Sequence, residues 1–291
     1  MGDIPANTRQ LDGPAPKLAM PKGATDCHIH VYLDGHAPQP GGPPIAELAT
    51  PADYAVVQRR LGLERVVITQ SNAYQFDNGA TIAGLKAMGS ETARGVVVVG
   101  PDTTEAELAD YHALGVRGAR IMNLPGGAVG VDGIPNVEAR IRPFGWHLMV
   151  QFDGREIERH RVALEAIETD YIIDHTGKFL EPVAADDARV DTLLRLIDRG
   201  NAWFKVAGLY ETSRAGAPDF ADVAGIARRV IAHAPERVIW GSNWPHVGVA
   251  REHYPDDAVL LGNLADLADE ATCRRILVDN PAALYGFPEP A

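Results

Sequence analysis

From residue 25 to residue 240, short β-rich apolar runs alternate with longer segments of helical periodicity, and this alternation limits the folds open to the chain. The candidate strands are Thr25–Val31, Arg65–Thr69, Gly95–Gly100, Val116–Ile121, His147–Gln151, Tyr171–Asp174, Trp203–Val206 and Val238–Trp240. Gly95-Val96-Val97-Val98-Val99 is apolar without alternation, as expected of a parallel strand covered on both faces. Helical periodicity marks Ala52–Leu61, Thr104–Leu114, Ile157–Ile167, Val190–Ile197 and Phe220–Ala234, with capping residues or proline at Thr103-Thr104 and Pro218-Asp219. A strand every ~20–35 residues suits βα units, whose right-handed crossovers need about a dozen residues or more. Eight such units predict an α/β chain closed into a (β/α)₈ barrel of the TIM type.

No Pro/Gly/Ser linker divides the chain, so one domain is expected: a flexible N-terminal arm over residues 1–22 and a barrel over 23–291. An open doubly wound sheet is the structural alternative, but no Gly-rich phosphate loop follows the first strand. Residues 33–51, rich in proline and glycine, form a long loop after that strand. In a barrel it overhangs the catalytic face, where it is either a lid or a surface excursion.

The charge narrows the partners. With 39 acidic against 27 basic residues, the formal charge of −12 repels nucleic acid and anionic membranes, so a small-molecule substrate is expected and any anionic one must meet local cations. The two cysteines, Cys27 and Cys273, make no disulfide framework and point to a reducing cytoplasm. No stretch is apolar enough to span a membrane, and the arm has no signal-peptide h-region. The oligomeric state is not readable.

Chemistry-bearing residues gather at predicted strand ends. His28 and His30 are two apart on the first strand and face one side together. The sixth strand runs into Asp174-His175-Thr176-Gly177-Lys178 and the eighth into Gly241-Ser242-Asn243-Trp244-Pro245-His246. All three ends fall at the carboxyl mouth of a barrel, where active sites assemble. Arg120, ending the fourth strand, is the leading candidate for a carboxylate clamp, with Lys178 next; the alternative for both is a solvated loop charge. Ser71, Asn72, Tyr74 and Asn78, after the second strand, either bind sugar hydroxyls or serve as turn residues. His246 orients Asn243, touches substrate or makes a structural hydrogen bond. His112, His160, His233 and His253 lie away from strand ends. Lys205, on the seventh strand, meets a carboxylate if it points inward and snorkels if it points outward.

These motifs, with the tail Asp279-Asn280-Pro281-Ala282-Ala283-Leu284-Tyr285-Gly286-Phe287, resemble the amidohydrolase superfamily over roughly residues 23 to 287, and most closely its branch typified by 2-pyrone-4,6-dicarboxylate lactonase. The resemblance implies a site built on His28, His30, His175 and position 243. The lactonases carry an aspartate there, a base for water, where this chain has Asn243, whose amide has no accessible proton affinity near neutral pH. Within the branch this departure resembles the lactone isomerases, and implies conversion of an aldaro-1,5-lactone, such as that of galactarate, into the 1,4-lactone in sugar-acid catabolism. An intramolecular hydroxyl can have an effective molarity of about 10⁵–10⁸ M, so it needs less help from a base than water does. His28, His30 and His175 would stabilise the oxyanion or carry a proton. The lactonase pattern favours an arginine near Lys178, which puts dicarboxylate specificity in doubt. The three histidines have the ligand types for zinc or manganese, yet loss of the aspartate removes a ligand and a charge, and the expectation is no metal and no cofactor. Lactone hydrolysis with a histidine base, a non-catalytic sugar-acid-binding barrel and a metal-dependent decarboxylase are the competing readings.

Overall fold

The computed structural model describes residues 4–288. Eight strands, β1 (Thr25–Ile29), β2 (Arg65–Thr69), β3 (Ala93–Val97), β4 (Val116–Asn123), β5 (His147–Phe152), β6 (Tyr171–Ile173), β7 (Ala202–Val206) and β8 (Val238–Trp240), pair in parallel in chain order. The helices between them are α1 (Pro51–Leu61), α2 (Gly79–Met88), α3 (Glu105–Ala113), α4 (Ile134–Ile141), α5 (Ile157–Glu165), α6 (Ala188–Ile197), α7 (Leu209–Thr212) and α8 (Ala221–His233); α9 (Asp257–Leu267), α10 (Glu270–Arg274) and α11 (Asn280–Tyr285) follow. This is the (β/α)₈ barrel. None of the helices is long and apolar enough to cross a membrane.

Local chemistry starts the helices where the sequence places them. Thr50 and Asp53 form a reciprocal capping box on α1, which ends at Gly62 in the left-handed region; Thr104 and Glu107 do the same for α3. The strands carry two apolar faces. One, including Ile68, Leu148, Val150 and Phe204, packs under the helices. The other, including Cys27, Val67, Met149, Ile172 and Ile239, fills the barrel interior with Tyr285 and Phe287. Arg94, near the start of β3, donates to the Tyr285 carbonyl at 3.0 Å, and the His147 ring at the start of β5 meets the Tyr285 ring edge-on at 4.9 Å. The end of α11, with Phe287 just after it, therefore floors the amino-terminal mouth and leaves the carboxyl mouth for chemistry.

Strand ends depart from the sequence expectation for identifiable reasons. β3 stops at Val97 because the Val98 amide donates to Asn78 Oδ1 at 2.9 Å and leaves the ladder. β1 stops at Ile29 because the His30 amide donates to the Trp244 carbonyl at 2.8 Å. That bond and its companion, Asn243 N–H to His28 O at 2.9 Å, join the first strand to the segment after the eighth and close the ring. The arm lies against this seam, with Arg9 Nε donating to Pro245 O at 2.9 Å.

Candidate active site

The β1–β2 register slips between Asp26 and Ile29. Within the slip the His28 amide leaves the ladder and donates to Asp26 Oδ1 at 3.0 Å. The irregularity re-aims the chain, so His28 joins His30 inside the barrel while Ile29 packs outward. Their Nε2 atoms lie 3.3 Å apart, His30 Nδ1 is 2.8 Å from the Thr69 carbonyl, and His28 Nδ1 is 3.1 Å from Lys205 Nζ. Both rings are held neutral. Burial and the Lys205 ammonium hold His28 well below the usual imidazole range, and burial with the Arg120 guanidinium brings His30 down to about 3.

Lys205 points inward, fully buried, 3.2 Å from Asp174 Oδ1. Asp174 Oδ2 lies 2.8 Å from His175 Nδ1. Burial alone would push the Asp174 carboxyl up, but His175, Lys205 and His28 outweigh it and hold the group well below the carboxylate range. His175, Thr176 and Lys178 all have left-handed backbone, φ 52°, 53° and 45°, a strained turn that presses the His175 ring against His28 at 4.9 Å between centroids.

Above this layer opens a cavity of about 450 Å³, walled by His30, Arg120, His175, Lys178, Glu211 and Asn243 among others. Arg120 is buried there. Its Nη1 donates to Gln70 O at 2.7 Å and its Nη2 to Gln151 Oε1 at 3.1 Å, and among the described residues it ion-pairs with no carboxylate. Lys178, in contrast, is neutralised by an ion pair to Glu211 Oε2. Burial would raise the Glu211 carboxyl, but His175 and Lys178 outweigh it and keep the group ionised.

Asn243 sits at φ 63°, and its amide nitrogen donates both hydrogens, to Tyr210 Oη at 2.8 Å and to Glu211 Oε1 at 3.2 Å. Tyr210 Oη is in turn 3.0 Å from His246 Nδ1, and His246 Nε2 is 3.0 Å from Asp257 Oδ1. A neutral His246 allows one hydrogen order along this line. Asp257 accepts from His246, His246 from Tyr210, and Tyr210 from Asn243. The Asn243 carbonyl oxygen is left buried and without a partner in the cavity wall.

The structure thus brings His30, His175, Asn243, Arg120, Lys178, Ser71 and Asn72 to one cavity. His28 lies just beneath. Tyr74, Asn78 and His246 stand outside the lining. Asn78 exchanges both amide functions with the Val98 backbone, and Tyr74 accepts from the Leu33 amide at 3.3 Å under the 33–51 loop. His246 faces a separate cavity of about 120 Å³ and reaches Asn243 through Tyr210. The loop contributes Pro43, Pro44 and Ala46 to the rim. Sequence reasoning missed Tyr210 and Glu211. Their one signal was position: an aromatic and an acidic residue four and five places past β7, at the same mouth.

Comparisons with known proteins give the family and agree on the fold. Residues 25–287 match the family model described as amidohydrolase. The chain belongs to the amidohydrolase family. It is 47% identical over 281 residues to D-galactarolactone isomerase of Agrobacterium fabrum, covering 95% of this chain and 96% of that one. It is 31% identical over 290 residues to 2-pyrone-4,6-dicarboxylate hydrolase of Comamonas testosteroni, covering 94% and 93%. A crystal structure of an Agrobacterium tumefaciens protein in its apo form superposes with a TM-score of 0.92 at 46% identity, covering 96% of this chain and 99% of that one.

The buried histidines are of the type that metal-dependent amidohydrolases use to hold a divalent ion. His28, Asp174 and His175 bring ligand atoms within 4.8 Å of one another. Lys205 Nζ lies against two of the three, and Asn243 offers a neutral amide in place of a carboxylate. A tethered monocation beside the would-be ligands and the loss of one anionic donor disfavour a dication on both charge and ligand count. The residues present do not fit one.

Proposed function

We propose that this amidohydrolase isomerises an aldaro-1,5-lactone, D-galactaro-1,5-lactone first among them, to the 1,4-lactone. The observation that carries the reading is Asn243. The position from which the lactonases activate water is neutral here, and its amide nitrogen is tied to Tyr210 and Glu211, which leaves a carbonyl oxygen without a partner among the described residues. An acceptor of that kind orients a hydroxyl and cannot take its proton near neutral pH. The 47% identity to a galactarolactone isomerase supports the same substrate class.

In this reading Arg120, a buried guanidinium without a carboxylate partner among the described residues, holds the free carboxylate of the lactone. The C4 hydroxyl attacks the C1 carbonyl and the C5 oxygen leaves. Glu211, ionised and facing the cavity, takes the C4 proton and returns it to O5, the two oxygens being on adjacent carbons within reach of one carboxylate. His175 stands beside Glu211, with its Nε2 3.7 Å from Oε2, and assists the transfer or the oxyanion. The proton count closes, and no water is consumed.

A proton NMR time course on freshly generated D-galactaro-1,5-lactone tests this. The 1,4-lactone should appear first. If open-chain galactarate appears first, the barrel is a lactonase.

A further inference from the structure

The His28–His30 pair carries an order of hydrogens that its neighbours impose. The Thr69 carbonyl can only accept, so His30 Nδ1, 2.8 Å away, must carry a hydrogen. A neutral His30 then has a bare Nε2, and His28 Nε2, 3.3 Å from it, must donate. That leaves the lone pair of His28 on Nδ1. Facing it at 3.1 Å is Lys205 Nζ, a group with hydrogens to give and, when charged, no lone pair. The other Lys205 neighbours are Met149 Sδ, which accepts at 3.3 Å, and Asp174 Oδ1, an ion-pair partner at 3.2 Å, around an ammonium buried from solvent.

We propose that Lys205 is a positioning residue that fixes the tautomer of His28 and so closes Lys205, His28, His30 and the Thr69 carbonyl into one directed hydrogen-bond chain. Both Nε2 atoms of the pair are consumed by the bond between them, and neither is a ligand lone pair. The ammonium acts as a built-in cation in the layer under the substrate cavity. His30 is thereby a rigid, neutral floor for the cavity, and proton traffic passes to His175 and Glu211 above it. The inference concerns the floor of the barrel and holds whichever lactone the cavity accepts.

The test reads the rings directly. Two-bond proton–nitrogen NMR on protein labelled with ¹⁵N-histidine should show, in the wild type, His28 with hydrogen on Nε2 and none on Nδ1, and His30 with the reverse. Wild-type protein incubated with zinc chloride and desalted should retain no stoichiometric zinc and keep these signatures. In Lys205→Met, which keeps the bulk and removes the donor, His28 should lose its single tautomer as Nδ1 turns to the Asp174 carboxylate 3.5 Å away. Hydrogen on His28 Nδ1 in the wild type, stoichiometric zinc that shifts both rings, or an unchanged His28 tautomer in folded Lys205→Met would each overturn the proposal. The wild-type spectrum decides by itself should the variant not fold. None of these readouts uses turnover, so a failed isomerase reading and a failed tautomer lock are told apart.

Discussion

An aspartate at position 243 would put a second carboxylate where the Asn243 amide nitrogen now donates to Glu211 at 3.2 Å. Two carboxylates that close cannot both ionise, so one takes a proton and the new residue is a poor base for water. Asn243→Asp alone should therefore give only slight hydrolysis of the 1,5-lactone. Asn243→Asp combined with Glu211→Gln, which removes the competing charge, should release more open-chain aldarate as isomerisation falls. Product NMR separates the two, and equal hydrolysis in the single and double variants would show that Glu211 does not restrain position 243. Arg120 acts on another part of the substrate. Losing a charge-assisted hydrogen bond costs about 1.5–3 kcal/mol, so Arg120→Ala should lower kcat/KM about 10- to 150-fold. An unchanged kcat/KM would remove Arg120 from carboxylate binding.

Just past β8, Gly241 packs tightly against β1. A Cβ at Gly241 would lie 2.6 Å from His28 Cβ and 2.9 Å from the His28 amide nitrogen. Neither neighbour can yield without moving the irregular turn of β1. Gly241→Ala should cost about 1–3 kcal/mol, as overpacking does, and lower activity with it; urea unfolding that matches the wild type would refute the tight contact. The strands themselves were legible because both faces are buried, which writes them as apolar runs such as Ile172-Ile173 or Val96-Val97. Helices α2 and α4 were not, because Gly79, Gly84 and Pro135 interrupt their periodicity. His28, His30, His175 and Asn243 were legible as polar residues at strand ends, and Arg120 as a cation on the fourth strand, which runs three residues past it. Glu211 and Tyr210 were not, since α7 is a four-residue turn with no period to read. The pairing of Lys205 with His28, 177 positions apart, exists only once the barrel folds.

Across the molecule, buried imidazoles make stability depend on pH. Burial holds His30 at about 3 and, with Lys205 nearby, His147 at about 3, whereas an unfolded histidine titrates near 6.5. The unfolded chain therefore binds more protons as pH falls from 6.5 toward 3, and stability present above 6.5 is lost across that window. His28 acts in the same direction. Asp26 opposes them: burial raises its carboxyl to about 6, so the folded state gains a proton first as pH falls. Three imidazoles outweigh one carboxyl, and the urea midpoint should decline from pH 7 to pH 4. His147→Leu, far from the cavity and packed on Tyr285, should flatten the decline; a midpoint indifferent to pH would contradict the buried neutral histidines.

The seam has one more consequence, in time. The bonds that close the ring are made by Asn243 and Trp244, and the floor is laid by Tyr285 and Phe287. In the order of synthesis all eight strands precede both. Synthesis from the amino terminus leaves the ring without its closing bonds until the stretch carrying Asn243 and Trp244 arrives, so the catalytic mouth and the closure are completed by the same late piece of polypeptide.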